Sequence, residues 1–236
     1  MDTPEKKKRI EFLDAWRGLA VVVMLFWHFA WDLTMWKFFP ESVMFEIPAT
    51  LVRYFIVCSF VLASGMSCRL SRSNLRRGVL TLLCGFAVSA AMAAVGDSVR
   101  MGILHLLGCC MILYALIGKA AERLPPAKTV MVLMLLFTVL LVITDAVRVE
   151  IPWLYPLGFR TREFYSADYY PLLPWGLMFF AGAVMGGKLR LPPEGADLPR
   201  YSPALCWIGR RALWIYLLHQ PVLIGILWLF TGRLPF

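Results

Sequence analysis

The stretch LDAWRGLAVVVMLFWHFAWDLTMW, residues 13–36, decides the fold of this chain. It is apolar over a length that spans a membrane as a helix, for which about 20 mostly apolar residues are enough. Further apolar runs follow it, so the sequence predicts an all-α integral membrane protein, a bundle of about seven transmembrane helices. The predicted spans, all within one domain over residues 1–236, are residues 13–36, 48–67, 77–95, 101–119, 128–145, 170–188 and 205–231.

The composition agrees with this class of protein and indicates its orientation. The 236 residues are 60% hydrophobic and 17% charged, whereas soluble domains are about 45–50% apolar and about 25% charged. Of the 24 lysine and arginine residues, 17 fall on the side of the N-terminus, which predicts a cytoplasmic N-terminus and an external C-terminus. We therefore expect a multi-pass membrane protein, with the lipid bilayer and not nucleic acid as its partner.

Ionisable side chains follow one face of the first span. Asp14, Arg17, His28 and Asp32 recur at helical spacing. An ionisable group in a membrane costs roughly 2.5–3.5 kcal/mol on insertion scales, which makes each a functional candidate. Arg17 is expected near the cytoplasmic headgroups, with His28 about 16 Å further along the axis. We expect Asp32 to hold one ring nitrogen of His28 and leave the other free, the arrangement of a general base.

The other two histidines, His105 and His219, also lie within predicted spans. A lone transmembrane histidine is more often a packing residue, and that interpretation stays open for each of them. By depth, all three histidines fall in the outer half of the membrane, where we expect them to surround one outward-facing polar cavity. Asp32, Asp97, Arg100 and Asp168 are expected at the same cavity. Alternatively, Asp168 caps the N-terminus of the sixth helix, ahead of Pro171.

Basic side chains collect at the predicted cytoplasmic ends of the spans. Arg17, Arg76, Arg210 and Arg211 are among them, and they predict an anion-binding site on that side. The alternative is ordinary membrane topology, which places cations on the inner side of most membrane proteins. The Arg210-Arg211 pair is the more specific signal because it precedes the helix that carries His219.

The longest connection, residues 146–169, is predicted to lie outside the membrane. Its mixture of aromatic and charged side chains favours an ordered lid or an acceptor surface over a disordered loop. The side chains concerned are Trp153, Tyr155, Phe159, Arg160, Arg162, Glu163, Tyr165 and Asp168.

Four segments of the chain resemble the catalytic-domain family of the heparan-α-glucosaminide N-acetyltransferases, and bacterial members in particular. They read LDAWRGLA (residues 13–20, followed by His28), GILHLLG (102–108), DYYPLLPW (168–175) and IGRRALWIYLLHQP (208–221). The arginine that precedes a histidine by eleven positions on the first helix is also similar to the acyltransferase-3 membrane proteins, which modify cell-surface sugars.

The resemblance implies an enzyme that is an acetyl-CoA-dependent acyltransferase. It would pass an acetyl group from cytoplasmic acetyl-CoA, a co-substrate, to an extracytoplasmic sugar or glycan acceptor of the cell envelope, and no metal is expected. His28 would act as the general base or take the acetyl group itself, with Asp32 orienting it. The residues expected to bind acetyl-CoA are Arg17, Asp14, Arg210, Arg211 and Arg76. Those expected to bind the acceptor are His105, His219, Asp168, Arg100 and Gln220.

One departure from the family bears on this assignment. In the lysosomal members the catalytic histidine lies in the loop after the first helix, whereas residues 33–47 here contain no histidine. Either the role falls to His28, as in the acyltransferase-3 pattern, or the activity of this chain differs from that of the lysosomal members. The lysosomal proteins also have more spans and an extra luminal domain, so heparan sulfate is not the expected acceptor.

The residues leave several alternatives open. N- and O-acetylation both fit, as do a ternary and an acetyl-histidine mechanism, and a homodimer is one option for the oligomeric state. A transporter or flippase of an anionic lipid or sugar would also use buried ions, as its pathway. A non-catalytic membrane scaffold is the third class.

Overall fold

The computed structural model describes residues 10–121, 125–189 and 201–233. Within these residues the structure is helical, and the β pairing consists of two isolated bridges, Met101 with Tyr169 and Arg148 with Arg160. The α-helices are α1 (Glu11–Met35), α2 (Ile47–Cys68), α3 (Asn74–Ala94), α4 (Ile103–Ala121), α5 (Pro126–Ala146), α6 (Leu172–Gly186), α7 (Pro203–Arg210) and α8 (Ala212–Thr231). Two 3-10 helices lie at Glu41–Phe45 and Pro152–Leu157. The predicted all-α membrane protein is confirmed.

The apolar helices correspond to the predicted spans. Among the described residues, five helices are long and apolar enough to cross a membrane, namely α1, α2, α3, α5 and α8. Two shorter apolar helices, Ile103–Gly118 within α4 and Leu172–Gly186, stand at the fourth and sixth predicted positions. The cations before residue 10 and those of residues 190–200 lie outside the described residues, and the sidedness of the chain stays a prediction.

The predicted seventh span, residues 205–231, differs from the structure. It consists of α7 and α8, which are separated at Arg211, where the backbone has φ −108° and ψ 12°. Arginine is a good helix former. The residue type at position 211 therefore gave no sign that the helix is interrupted there.

The helix ends follow ordinary capping chemistry. α5 and α7 carry proline in their first turn, where its missing N–H costs nothing. The Ser202 hydroxyl accepts the N–H of Leu205 at the start of α7, as an N-cap does. α8 ends at Gly232, whose φ of 67° is the left-handed conformation that glycine adopts readily.

The described part of the chain forms two compact units, and their boundary falls within α2. The first unit comprises residues 1–60 and 190–236, and in it α1 packs closely on α7. A Cβ at Gly18 would overlap the carbonyl of Leu205, and a Cβ at Gly209 would overlap the carbonyl of Asp14. At the other end of α1, the indole N–H of Trp36 donates to the Thr231 hydroxyl at 2.9 Å.

The second unit comprises residues 61–189. Here the C-terminal part of α2 packs on α6, again through glycine, because a Cβ at Gly182 would overlap the backbone of Leu62. α3 packs on α4 in the same way, with Gly108 set against the backbone of Leu82. Close backbone approach through small residues is typical of helix packing in membranes, where apolar surface alone gives no drive to associate.

The predicted sidedness can be measured on cysteine variants at two described loop positions. Ser73→Cys, in the turn between α2 and α3, should stay unlabelled when intact cells are treated with a membrane-impermeant maleimide. Glu163→Cys, in the loop between α5 and α6, should be labelled, because three predicted spans, α3, α4 and α5, separate it from Ser73. The unsubstituted chain controls for its six native cysteines. Equal labelling of the two variants would show that the number or orientation of the spans is wrong.

The contact of Gly18 with α7 predicts a specific loss of stability. Gly18→Ala should lower the free energy of unfolding by about 1–3 kcal/mol, the usual cost of overpacking, seen as a lower melting temperature in detergent. Gly225→Ala is the matched control on α8, because its Cβ would meet no described atom within 4 Å and alanine favours a helix over glycine. An equal response of the two variants would argue against the close α1–α7 contact.

Candidate active site

α1 and α8 bring two of the three histidines together. The rings of His28 and His219 lie with their centroids 4.6 Å apart and their planes at 63°. On its other side His28 meets the ring of Trp27 edge-on, at 5.2 Å between centroids. Two of the three histidines that were expected around one cavity therefore stand side by side within predicted membrane spans.

The carboxylate of Asp32 pairs with Gln220 and not with His28. Asp32 is 3% exposed, and its Oδ1 accepts the side-chain N–H of Gln220 at 2.6 Å. In the described structure no hydrogen bond joins Asp32 to His28, so the expected orienting bond is corrected. The physical reason is that Gln220, on α8, presents an amide donor directly to the carboxylate, whereas His28 lies a full turn below it on α1 and turns toward His219.

The backbone fixes the tautomer of His219. Its Nδ1 lies 2.5 Å from the carbonyl oxygen of Tyr216, and because a carbonyl only accepts, Nδ1 carries the proton. In the neutral ring, Nε2 is then the lone-pair nitrogen. Nε2 is buried and has no hydrogen-bond partner among the described residues. His219 therefore has the form of a base with a defined orientation.

Three buried acceptor atoms belong to His219, to its chain neighbour Gln220 and to Asp32, which Gln220 contacts. They are Nε2 of His219, Oε1 of Gln220 and Oδ2 of Asp32, and within the described residues none of them has a donor. A buried polar atom without a partner costs free energy. The cluster is thus suited to a ligand group that brings several N–H or O–H donors, and a positive charge on that group is favoured by the carboxylate.

A groove leads away from His219 along α8. It has a volume of about 350 Å³ and is lined by Leu25, Arg211, Trp214, Ile215, Leu218, His219, Val222 and Leu223. Arg211 and His219 stand eight residues apart in this lining, which corresponds to about 12 Å of α-helix. The guanidinium of Arg211 stacks over the ring of Trp207 at 4.2 Å. Both residues thus belong to one groove, and the surface that the groove exposes is apolar.

Arg17 and Asp14 form an ion pair on α1. An Arg17 amino group donates to Oδ1 of Asp14 at 2.8 Å, and Nε donates to the carbonyl of Leu13 at 3.2 Å. Asp14 is 3% exposed, so it holds the guanidinium and does not face a ligand directly. Arg210 is exposed in the last turn of α7, beside Gly209, which contacts the Asp14 backbone.

Four of the predicted site residues belong to the second unit: Arg76, Arg100, His105 and Asp168. Nε2 of His105 lies 3.4 Å from the Ser89 hydroxyl, which donates to the carbonyl of Val99. Arg100 stacks over Phe164 at 5.5 Å, and Arg76 is exposed near the start of α3. That all three histidines share one cavity stays a prediction.

The side chain of Asp168 caps a helix, but not the one that was expected. Its Oδ2 accepts the backbone N–H of Ile103 at 3.0 Å, which is the first residue of α4. Pro171 supplies no N–H and α6 begins after it at Leu172, so the N-cap role for α6 is corrected. The contact attaches the α5–α6 loop to the start of the helix that carries His105.

The α5–α6 loop is ordered by an aromatic cluster. Tyr155 and Phe164 stack at 5.4 Å, and Phe164 and Tyr169 lie 4.8 Å apart. The Tyr169 hydroxyl donates to the carbonyl of Tyr155 at 2.7 Å. Burial raises the pKa of Tyr169 to about 12, so this phenol stays a donor at neutral pH. Arg160 stacks over Tyr169 and pairs with Asp145 at 2.7 Å.

Residues 9–221 match the family described as Heparan-alpha-glucosaminide N-acetyltransferase, catalytic. The chain belongs to this family. Neither a curated protein nor a solved structure matches the chain. Membership indicates a transmembrane acetyltransferase, and the matched range contains both imidazoles, the Asp32–Gln220 pair and Arg211. Among the described residues, no three His, Cys, Asp or Glu side chains are placed to hold a metal ion.

Proposed function

We propose that this protein transfers the acetyl group of cytoplasmic acetyl-CoA to an amine of an extracytoplasmic sugar or glycan, in a bacterial inner membrane. The observation that carries the proposal is the groove that joins Arg211 to His219 beside His28. Along this groove, one acetyl-CoA molecule would place its phosphates at Arg211, its pantetheine arm on the apolar wall and its thioester near His219.

The donor fits the groove by its chemistry. The phosphates of CoA are anions that bind guanidinium groups through charge-assisted, bidentate hydrogen bonds, and Arg210 and Arg211 stand at one end. The pantetheine arm would follow the apolar wall of α8 and bring the thioester to His219. Arg17, held by Asp14, would assist at the phosphates, and the involvement of Arg76 remains a proposal from the sequence.

The acceptor end favours an amine over a hydroxyl. A protonated amine brings one positive charge and three N–H donors, which match three acceptors: Oδ2 of Asp32, Oε1 of Gln220 and a ring nitrogen of His28. A hydroxyl brings a single donor and leaves two of these acceptors unsatisfied. Asp32 and Gln220 are therefore proposed to hold the amino group of the acceptor, with N-acetylation as the reaction. The involvement of Arg100, His105 and Asp168 in acceptor binding remains a proposal from the sequence.

His28 is proposed as the general base. It would take a proton from the bound ammonium group, after which the amine attacks the thioester carbonyl, the C–S bond breaks and CoA leaves. In this arrangement Asp32 positions the acceptor and does not orient His28. This assignment agrees with the observed pairing of Asp32 with Gln220.

Donor binding can be tested at Arg211. Arg211→Ala should weaken CoA binding roughly 10- to 100-fold, because it removes hydrogen bonds between charged groups. Arg211→Lys should recover only part of the affinity, since a point charge does not form the bidentate contact. Calorimetric titration with CoA measures both variants, and Arg72→Ala, which removes an exposed cation in the α2–α3 turn, is the control for net charge. Unchanged affinity in Arg211→Ala would place the donor elsewhere.

The reaction itself can be tested with acetyl-labelled acetyl-CoA and two matched acceptors, an amino sugar and its N-acetylated counterpart. We expect label on the amino sugar alone. His28→Ala should lower turnover by about 10²–10⁴-fold, the usual loss for a general base, while it keeps its affinity for CoA. Label on the N-acetylated sugar would indicate O-acetylation. Normal turnover by His28→Ala would remove His28 from the catalytic role.

A further inference from the structure

We propose that His219 is a second catalytic residue: it protonates the sulfur of CoA as the C–S bond breaks, using a proton that reaches it from His28. The inference rests on the proposed function and assigns the second half of the proton transfer. Its basis is the geometry of one ring, which belongs to the groove lining, is held at Nδ1 and carries at Nε2 a buried lone pair without a partner among the described residues.

The first step concerns the position of the sulfur. With the phosphates at Arg211, a donor that extends along the groove brings its thioester toward His219, because these two residues stand eight positions apart in the groove lining. The thiolate that forms when the C–S bond breaks is an anion against an apolar wall within a predicted membrane span, where an unpaired charge is strongly unfavourable. A proton donor at this point removes that charge as it develops.

The proton for the sulfur must come from an ionisable residue of the groove lining. Among the described residues that line the groove, Arg211 and His219 are the ionisable ones, and a guanidinium does not release its proton in proteins. His219 alone can therefore deliver a proton to sulfur from the groove wall. Its Nδ1–H is held by the Tyr216 carbonyl, so the proton that it gains and gives must be carried on Nε2.

Nε2 of His219 receives its proton from His28. The ring of His28 contacts that of His219, with centroids 4.6 Å apart. His28 takes the first proton from the acceptor ammonium and passes it to Nε2 of His219, which returns His28 to its neutral form. The amine nitrogen bonds to the carbonyl carbon, the C–S bond breaks, and the sulfur takes the proton from Nε2.

The acceptor nitrogen must lose a second proton before the amide product is neutral. After the N–C bond has formed, the nitrogen still carries one proton too many, and neutral His28 takes it and releases it on the acceptor side. Of the two protons that the ammonium loses, one ends on CoA and one in solution. No other reactant is required.

The experiment compares two donors, acetyl-CoA and its selenium counterpart, in which selenium replaces the thioester sulfur. A selenolate is a weaker base than a thiolate and leaves without needing a proton. His219→Asn keeps an N–H near the Nδ1 position, toward Tyr216, but has no group that carries a proton to sulfur. We expect it to lose about 10²–10⁴-fold in kcat with acetyl-CoA and less than about tenfold with the selenium donor.

His28→Ala is the comparison variant, because the ammonium must lose its proton whichever donor is used. We expect it to lose activity equally with both donors. If His219→Asn also loses activity equally with both, His219 has a structural role and the inference is overturned. Full activity of His219→Asn with acetyl-CoA overturns it as well.

A measurement on the unsubstituted protein does not depend on the folding of any variant. Turnover with acetyl-CoA should be slower in D₂O than in H₂O when proton delivery to sulfur is part of the slow step, and this difference should shrink with the selenium donor. An equal solvent effect with both donors argues against His219 as the acid. If the unsubstituted protein transfers acetyl from neither donor, the proposed function itself fails and this inference falls with it.

Discussion

The close approach of α1 and α7 is the constraint on which the first unit depends. Gly18 and Gly209 let each helix meet a carbonyl of the other, and no side chain larger than hydrogen fits at either place. Because α7 is fixed on α1, the backbone break at Arg211 determines where α8 begins and which of its faces turns toward α1. The meeting of His28 with His219, and of Asp32 with Gln220, follows from that placement.

Polar side chains in apolar helices are tolerated here because most of them are paired locally or across the two helices. Arg17 pairs with Asp14 within one turn of α1, and the Gln220 amide is bound to Asp32 across helices. Several buried polar atoms of the described residues have no partner, among them Nε2 of His219, Oε1 of Gln220 and Oδ2 of Asp32. The lack of donors at these three atoms is costly, and a cost of this kind is typical of a site that is completed by its substrate.

Much of the fold could be predicted from the sequence because hydrophobic length is a local property. The apolar helices and the helical face of Asp14, Arg17, His28 and Asp32 could be read from spacing. Contacts between distant residues could not. Gln220 lies 188 positions after Asp32, and nothing in the sequence distinguishes it from His28 as the partner of that carboxylate. Asp168 likewise stands close to α6 in the sequence, yet it caps α4, which begins 65 residues earlier.

The contact between the two imidazoles has a consequence for energetics across the bilayer. In the proposed cycle, CoA gives up the acetyl group as an acylium equivalent, CH₃CO⁺, which moves outward to the acceptor. One proton of the acceptor moves inward and ends on the sulfur of CoA. The two movements cancel in charge, so each turnover is electroneutral. A membrane potential is worth about 2.3 kcal/mol per elementary charge for each 100 mV, but it acts only on net charge that crosses. The reaction would then be driven by the free energy of the thioester alone, and it would proceed equally well in an energised and in a de-energised cell.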